Sequence, residues 1–361
     1  MDNLRAIAAV RSIDDALAEA RKKGASDVQL VADGKGALRI NGEMQPGGSA
    51  YAFEMAALTS FLEKHVSDEG RARLARDQVI DASDYIVGVG RVRIHAFFAM
   101  KKLRMDVRLL APDVMSLEAL DTPPMVARLL GSTSHGMILV TGPTGSGKST
   151  LQAAMVDFIN HKFAHHIVTI EDPIEYAHHS DKAFITQKEV GTDVPSFQAG
   201  LVASLREDPD VILVGEMRDR DTLATALTAA ETGHLVMGTL HTKDTASTIS
   251  RFIDVFPADQ QEMVRTQLIQ NLRATIAIRL VPKVGGGRRS ALEVCILNDA
   301  VRGAIKNADA NAIREAVRRK DDPNMLALER HLGELVRRGE ITDAAARAAA
   351  VVPDDVALLQ R

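Results

Sequence analysis

Apolar positions along the chain change their period as it runs, and each change marks a different kind of structure. Ile13, Ala16, Leu17 and Ala20 recur at helical spacing over residues 12–24 and the pattern stops at Gly24, which predicts an opening helix. Val28–Val31 and Ala37–Ile40 are short apolar runs around Asp33-Gly34-Lys35-Gly36, the pattern of a β-hairpin. Helical spacing resumes over 52–76, and 78–81, 84–89, 91–98 and 105–110 read as strands. Helix and strand are segregated here, so residues 1–110 predict a small N-terminal α+β domain.

Pro112, Pro123 and Pro124 mark a connector, placed at 111–135, with a short helix at 125–130. From Met137 the pattern becomes strand, loop, helix, strand. Met137–Val140, Ile167–Ile170, Val211–Val214 and Leu235–Gly238 are short, nearly uninterrupted apolar runs. Such runs belong to parallel strands buried on both faces, so 136–288 predicts an α/β nucleotide-binding core. Beyond Gly285-Gly286-Gly287 the chain is rich in Ala, Arg and Glu, and 289–361 is expected to be a peripheral helical region.

Composition narrows the picture. A length of 361 residues suits two domains, and a hydrophobic share of 46% supports a sizeable core. Lys and Arg number 44 against 48 Asp and Glu, a net charge of −4, which argues against a dedicated nucleic-acid binder. Cys295 is the only cysteine, so neither an internal disulfide nor a cysteine metal cluster can form, and a reducing cytosol is the natural compartment. Met1-Asp2-Asn3-Leu4 does not read as a signal peptide, and no apolar run approaches the ~20 residues that span a bilayer. Direct membrane insertion is therefore not expected; work at a membrane requires docking on a protein already there.

The first chemical signal is Gly142-Pro143-Thr144-Gly145-Ser146-Gly147-Lys148-Ser149, followed by Thr150. It matches G-x-x-x-x-G-K-[ST] at every fixed position, just after an apolar strand and just before a helical stretch at 151–163. The glycines let backbone N–H groups wrap phosphates, and the following helix adds its positive end. Lys148 is expected to reach the β- and γ-phosphates of ATP, and the Ser149 hydroxyl to ligate Mg²⁺.

Thr169–Tyr176 places Glu171, Asp172 and Glu175 just past an apolar strand, where carboxylates can hold the water shell of Mg²⁺; a solvated acidic turn is the bland alternative. Val211–Val214 followed by Gly215-Glu216 reads as a Walker B strand in which glycine stands where the metal-binding aspartate is usual. Glu216 is then the candidate to orient or deprotonate the attacking water. In Thr232–Thr242 two histidines bracket an apolar strand. His241, at its carboxyl end, is placed to meet the γ-phosphate or Glu216, while His234 reads equally well as a packed residue. His161, His165, His166, His178 and His179 lack H-E-x-x-H spacing and read as helix and loop residues. Arg91, Arg93 and Arg108 lie on expected strands of the first domain and by pattern alone are surface residues.

In this order, the Walker A loop, the acidic box, the atypical Walker B and the histidine box resemble the secretion ATPase superfamily of type II and type IV secretion and type IV pili. The sequence is most similar to the type IV pilus retraction ATPases of the PilT type. Leu205–Asp210, Ala229–His234, Val255–Ala258 and Gly285–Arg288 carry the resemblance further, and weaker similarity reaches Gly24–Asp27. It implies a PAS-like N-terminal domain and a RecA-like ATPase core with C-terminal helices, assembled as a homohexamer. It also implies ATP bound between the two domains, Glu216 as the catalytic glutamate, His241 on the phosphate side, Glu175 nearest the metal, and Arg93 and Arg108 completing the site.

The resemblance further implies a motor that hydrolyses ATP to drive pilus retraction, and hence pilus disassembly and twitching motility. That motor would sit in the cytoplasm, docked at the inner face of the cytoplasmic membrane on an inner-membrane platform protein, with a second retraction ATPase left open. Absence of a tetracysteine insert favours retraction over extension. The rivals are a type IV secretion or competence ATPase of the same superfamily, an accessory ATP-binding retraction subunit, and a nucleic-acid translocase. Two stretches depart from the retraction pattern: Asn298–Ile305, where retraction motors carry an Ala-Ile-Arg signature, and the tail beyond about 320.

Overall fold

The computed structural model describes residues 12–40, 42–110, 114–319 and 322–359; Met1–Leu4, Pro112 and Lys320 fall outside them. The chain divides into two compact units, Met1–Asp113 with Glu175–Ala177, and Val114–Ile174 with His178–Arg361.

In the first unit Ser12 caps α1 (Ile13–Lys22): its Oγ accepts the Asp15 N–H at 3.1 Å while Asp15 reaches back, a reciprocal cap contributing about 1 kcal/mol. Ile13, Ala16, Leu17 and Ala20 form the buried face. Then come β1 (Ala25–Val31), β2 (Gly34–Lys35), β3 (Ala37–Ile40), β4 (Glu43–Pro46) and β5 (Ala52–Phe53), followed by α2 (Met55–His65) and α3 (Asp68–Asp77). The unit closes with β6 (Val79–Ile86), β7 (Gly90–Ala99) and β8 (Lys102–Leu109). The helical stretch expected at 52–76 is interrupted at Val66-Ser67, where Ser67 caps α3 by accepting the Gly70 N–H at 3.2 Å. The two strands expected at 78–81 and 84–89 are a single one, β6.

Six strands form an antiparallel sheet in the order β4-β3-β1-β8-β7-β6. Alternation sorts its faces. Val28, Leu30, Val92, Ile94, Met105 and Val107 point into the core with Leu17 and Leu58, while Asp27, Arg39, Arg93, His95 and Arg108 line one shallow polar hollow.

The second unit opens with α4 (Pro124–Ser132), β9 (Gly136–Thr141) and α5 (Lys148–Lys162). It continues through β10 (His166–Glu171), β11 (Phe184–Glu189), α6 (Phe197–Ser204), β12 (Val211–Val214), α7 (Arg220–Glu231) and β13 (Leu235–Leu240). Next are α8 (Thr245–Asp254), α9 (Gln261–Asn271), β14 (Leu272–Pro282) and β15 (Arg288–Ile296). The C-terminal elements are α10 (Asp299–Lys306), α11 (Ala310–Arg318), β16 (Met325–Leu326), α12 (Leu328–Arg337), α13 (Asp343–Ala349) and α14 (Pro353–Leu359). One eight-stranded sheet runs β11-β10-β12-β13-β9-β14-β15-β16. Strands β11 to β14 pair in parallel, and β14-β15-β16 antiparallel. All residues of β9, β12 and β13 are buried, as strands covered on both faces require.

Two expectations about organisation need correction. Leu117, Val126, Leu129 and Leu130 are buried in the same core as β9 and α5, so much of the stretch expected as a linker at 111–135 is part of the second unit. The region expected to be helical at 289–361 starts inside β15, which adds an antiparallel margin to the main sheet, and includes β16. No turn separates α9 from β14: Asn271 ends the helix and Leu272 begins the strand. Among the described residues no helix is long and apolar enough to cross a membrane.

Glu293, on β15, is buried and accepts the Thr245 N–H at 2.7 Å. Burial, with the nearby Asp244 and Glu329 carboxylates, pushes its pKa up to about 7 despite the Thr245 hydrogen bonds. The folded chain keeps this proton up to about pH 7, whereas an unfolded glutamate releases it near its ordinary 4.5. The folded state therefore binds more protons between those limits, and this contribution to stability is lost as pH rises through them. Glu293→Gln, which cannot ionise, is expected to gain on the parent by about 1–3 kcal/mol between pH 5 and pH 8 in urea unfolding. An unchanged difference across that range would mean that Glu293 is ionised in the fold.

Candidate active site

Strand β9 lies between β13 and β14 and delivers the chain at Gly142 to the carboxyl edge of the sheet, where open α/β sheets bind ligands. The loop needs its glycines. A Cβ on Gly142 would sit 2.5 Å from the Ile278 carbonyl oxygen, and Gly147 turns the chain into α5 at φ 94°. Lys148 Nζ donates to the Gly142 and Pro143 carbonyls at 2.9 and 3.1 Å, which holds the ammonium over the loop. Ser149 and Thr150 are half-buried in the first turn of α5. The first N–H groups of that helix have no partner within it and, with its dipole, favour an anion here. Gly142, Pro143, Thr144, Gly145, Ser146 and Gly147 thus form one cradle between a buried strand and a helix N-terminus.

The sheet order sets the remaining groups beside that loop. Moving from β9 across the edge, β13 ends before His241, β12 before Gly215-Glu216, and β10 at Glu171. His241 Nε2 lies 2.8 Å from Glu216 Oε1, so the two residues proposed from the ends of separate strands do meet. Glu216 also accepts from Arg218 Nε. Burial alone would raise the Glu216 pKa; the Arg218 guanidinium and His241 outweigh it and hold the carboxyl below its ordinary value. Glu216 is thereby kept ionised, oriented and largely shielded, with only 18% of its side chain exposed.

The glycine before it has a steric reason. A Cβ on Gly215 would stand 3.1 Å from the Ile170 carbonyl oxygen and 3.3 Å from the Glu171 Cα, so an aspartate there would press on β10. Instead the Gly215 N–H donates to Ile170 at 2.8 Å, and the Thr239 hydroxyl donates to the Gly215 carbonyl.

In the acidic turn Glu171 accepts the Thr169 hydroxyl at 2.7 Å and Gln187 Nε2 at 3.1 Å. Asp172 and Glu175 are exposed, and Glu175 is grouped with the first unit. Buried Glu189 accepts the Ile174 N–H at 3.1 Å and fixes the turn from β11. Among the described residues no cluster of three or more His, Cys, Asp or Glu side chains is placed to hold a metal alone. A donor set of one hydroxyl and scattered carboxylates suits a hard cation that keeps waters and takes further oxygens from a phosphate, as Mg²⁺ does.

Arg93 and Arg108 belong to the polar hollow of the first unit. Arg93 pairs with Asp81 at 3.3 Å and Arg108 with Asp27 at 2.8 Å. His234 sits at the opposite end of β13 from His241, with Nδ1 2.9 Å from the Ala229 carbonyl oxygen, which makes it a local brace rather than a site residue. His166 likewise spans the Glu207 carbonyl and the Thr186 hydroxyl at 3.0 and 3.1 Å. Arg218 and Gln187, which orient Glu216 and Glu171, went unnoticed in the sequence. Arg218 is two residues from Glu216 and so accessible to the eye; Gln187 comes from a strand whose pairing no local pattern announces.

Comparison with known proteins is consistent along the chain. The family model described as "Type II/IV secretion system protein" matches residues 5–347. The type IV pilus retraction ATPase PilT of Pseudomonas aeruginosa is 39% identical over 343 residues, covering 95% of this chain and 99% of that protein. A twitching motility protein of Neisseria gonorrhoeae is 42% identical over 313 residues, 86% of this chain and 83% of its own. The solved structure of the pilus retraction motor PilT with bound ADP superposes with a TM-score of 0.88 at 39% identity, over 96% of this chain and 99% of that one.

Proposed function

The chain belongs to the type II/IV secretion system protein family, and from that premise we propose that it is the ATP-driven motor of type IV pilus retraction. It is an ATPase of the pilus retraction type. What supports the retraction reading is the degree of the likeness: 39% identity over 343 residues and 99% of the length of a retraction ATPase, against 31% identity to a type II secretion protein E of which the chain covers 71%.

In this reading the phosphates of ATP rest on the Gly142–Gly147 backbone and the start of α5, and Lys148 swings from its loop carbonyls to the β- and γ-phosphates. Ser149, together with Glu171, Asp172 and Glu175, would hold Mg²⁺, which neutralises phosphate charge when bound. Glu216, ionised and oriented by Arg218, directs water at the γ-phosphate, and His241 meets the same carboxylate oxygen, Oε1, which leaves Oε2 for the water. Arg93 and Arg108 supply positive charge to the transition state; both exchange a carboxylate partner for phosphate to do so. The working assembly is a homohexamer at the inner face of the cytoplasmic membrane, pushing on an inner-membrane platform protein, with a second retraction ATPase as a conceivable companion.

Deleting the gene in its host and counting surface pili tests the proposal. Many pili with no twitching is the expected result. Bald cells, or normal pili with a secretion defect, would move the protein to the extension or secretion branch and leave its ATPase chemistry standing. Undiminished twitching with altered force would point to an accessory subunit.

A further inference from the structure

Four residues, His241–Asp244, link β13 to α8, and the first of them is the histidine that meets Glu216. Asp244 and Ser247 cap the helix reciprocally, and Ser247 Oγ accepts the Lys243 and Asp244 N–H groups at 3.3 and 3.2 Å. That closes the end of the link nearest the helix. The end nearest His241 is held differently. There the Thr242 hydroxyl lies 2.6 Å from the hydroxyl of Thr248, in the first turn of α8.

Thr248 is fully buried, and its hydroxyl oxygen gathers three neighbours. It lies 2.7 Å from the Asp244 carbonyl oxygen, 2.6 Å from the Thr242 hydroxyl and 3.4 Å from the Thr141 hydroxyl. A hydroxyl has one proton to give and two lone pairs to receive. The carbonyl can only accept, so it takes the Thr248 proton, and Thr242 then donates to the Thr248 oxygen. Thr141 is the last residue of β9, directly before Gly142, so the same oxygen borders the strand that delivers the phosphate loop. The helix carrying it is anchored. Ala246, Ile249, Phe252 and Ile253 are buried in the core, and Thr245 ties the start of α8 to β14 and β15. Its hydroxyl meets that of Thr275 at 2.7 Å, and its N–H donates to Glu293 at 2.7 Å.

Resting on the ATPase reading above, we propose that Thr248 is a positioning residue for hydrolysis: its buried hydroxyl fixes Thr242, and through Thr242 the ring of His241 against Glu216. Leu240 pairs with Thr141 at the final register position of β13 and β9, so sheet pairing stops one residue short of His241. The bond from Thr242 to Thr248 takes over where that pairing ends. Because the Thr248 oxygen also borders Thr141, the histidine and the base of the phosphate loop share one fixed reference point. The loop can then take ATP without losing its alignment with the pair that acts on the γ-phosphate. Thr248 acts only through His241, and only its hydroxyl is used.

Steady-state ATP hydrolysis by the full chain tests this. Thr248→Val keeps the shape of the side chain and removes the hydroxyl. It is expected to lower kcat about 10-fold with KM within about twofold, and Thr248→Ser to recover turnover to within about threefold of the parent. Thr242→Val breaks the same bond from the other side and should match Thr248→Val, each variant unfolding within a few degrees of the parent. Action through His241 also makes the losses non-additive: Thr248→Val with His241→Ala should turn over no more slowly than His241→Ala alone. Parent-like kcat in Thr248→Val, no recovery in Thr248→Ser, or losses that multiply in the double variant would each overturn the assignment. Lys148→Ala keeps that failure apart from failure of the ATPase reading: lost ATP binding there leaves the reading standing, and retained binding sinks it.

Discussion

Glu216→Gln is expected to lower ATP turnover by about 10²–10³-fold while leaving ATP affinity within a few-fold. The substitution keeps the shape of the side chain and removes the charge that two neighbours maintain against partial burial: the Arg218 guanidinium and the His241 imidazole at 2.8 Å. Because Arg218 and His241 hold the carboxyl below its ordinary pKa, it is ionised throughout the range in which the cell works, and loss of that charge is the whole perturbation. The glutamine also leaves the Gly215 contacts with β10 untouched, so the edge of the sheet should not move. Single-turnover hydrolysis and equilibrium binding of ATP, measured on the same preparation, separate the two effects. Turnover close to that of the parent would remove Glu216 from the chemistry and pass the water-orienting role to another group.

Lys148→Ala should fail at an earlier step, losing about 10²-fold or more in ATP affinity and turning over below detection. An ammonium that makes charge-assisted bonds to two phosphates contributes about 3 kcal/mol or more, and no neighbouring cation on the loop replaces it. The fold should tolerate the change. Lys148 bonds the carbonyls of its own loop, Gly142 and Pro143, and the helix it begins is fixed instead by Leu151, Ala154, Met155, Val156 and Ile159, all buried. A thermal midpoint within a few degrees of the parent, together with lost binding in calorimetry, is the expected pair of results. Retained affinity would sink the placement of the phosphates on this loop.

The four strands that build the site were legible because each is buried on both faces and so reads as an almost unbroken apolar run: Met137–Val140, Ile167–Ile170, Val211–Val214 and Leu235–Gly238. Strands with polar alternation were not. Phe184–Glu189 sits at the sheet edge and carries Thr186, Gln187 and Lys188, while Leu272–Pro282 contains Arg273 and Arg279 and follows a helix without a turn to announce it. Arg288–Ile296 hid among residues that look helical because its buried Glu293 reads as a surface acid. The chemical groups at strand ends were found by type and position, and the contact between His241 and Glu216 was one of two options that spacing allowed. Spacing has no means of showing which side chains orient them, since Gln187 meets Glu171 only through strand pairing. The hydroxyls of Thr141 and Thr248 were equally hidden: they are 107 positions apart, and only folding brings them together.

The junction of α9 and β14 gains a meaning once the chain is regarded as machinery. A loop between a helix and a strand acts as slack, absorbing displacement by rotating a few soft torsions. Here the last helical residue, Asn271, and the first strand residue, Leu272, are consecutive, and the eleven-residue strand then runs beside β9 as far as Ala277 and on to Arg279 and Pro282. A shift of α9 along its axis therefore meets no loop, only the register irregularity between Leu272 and Ala274, before it enters a paired strand whose far end borders the phosphate loop. Insertion of two or three glycines between Asn271 and Leu272 would add compliance without touching a single group that handles ATP, uncoupling stroke from fuel.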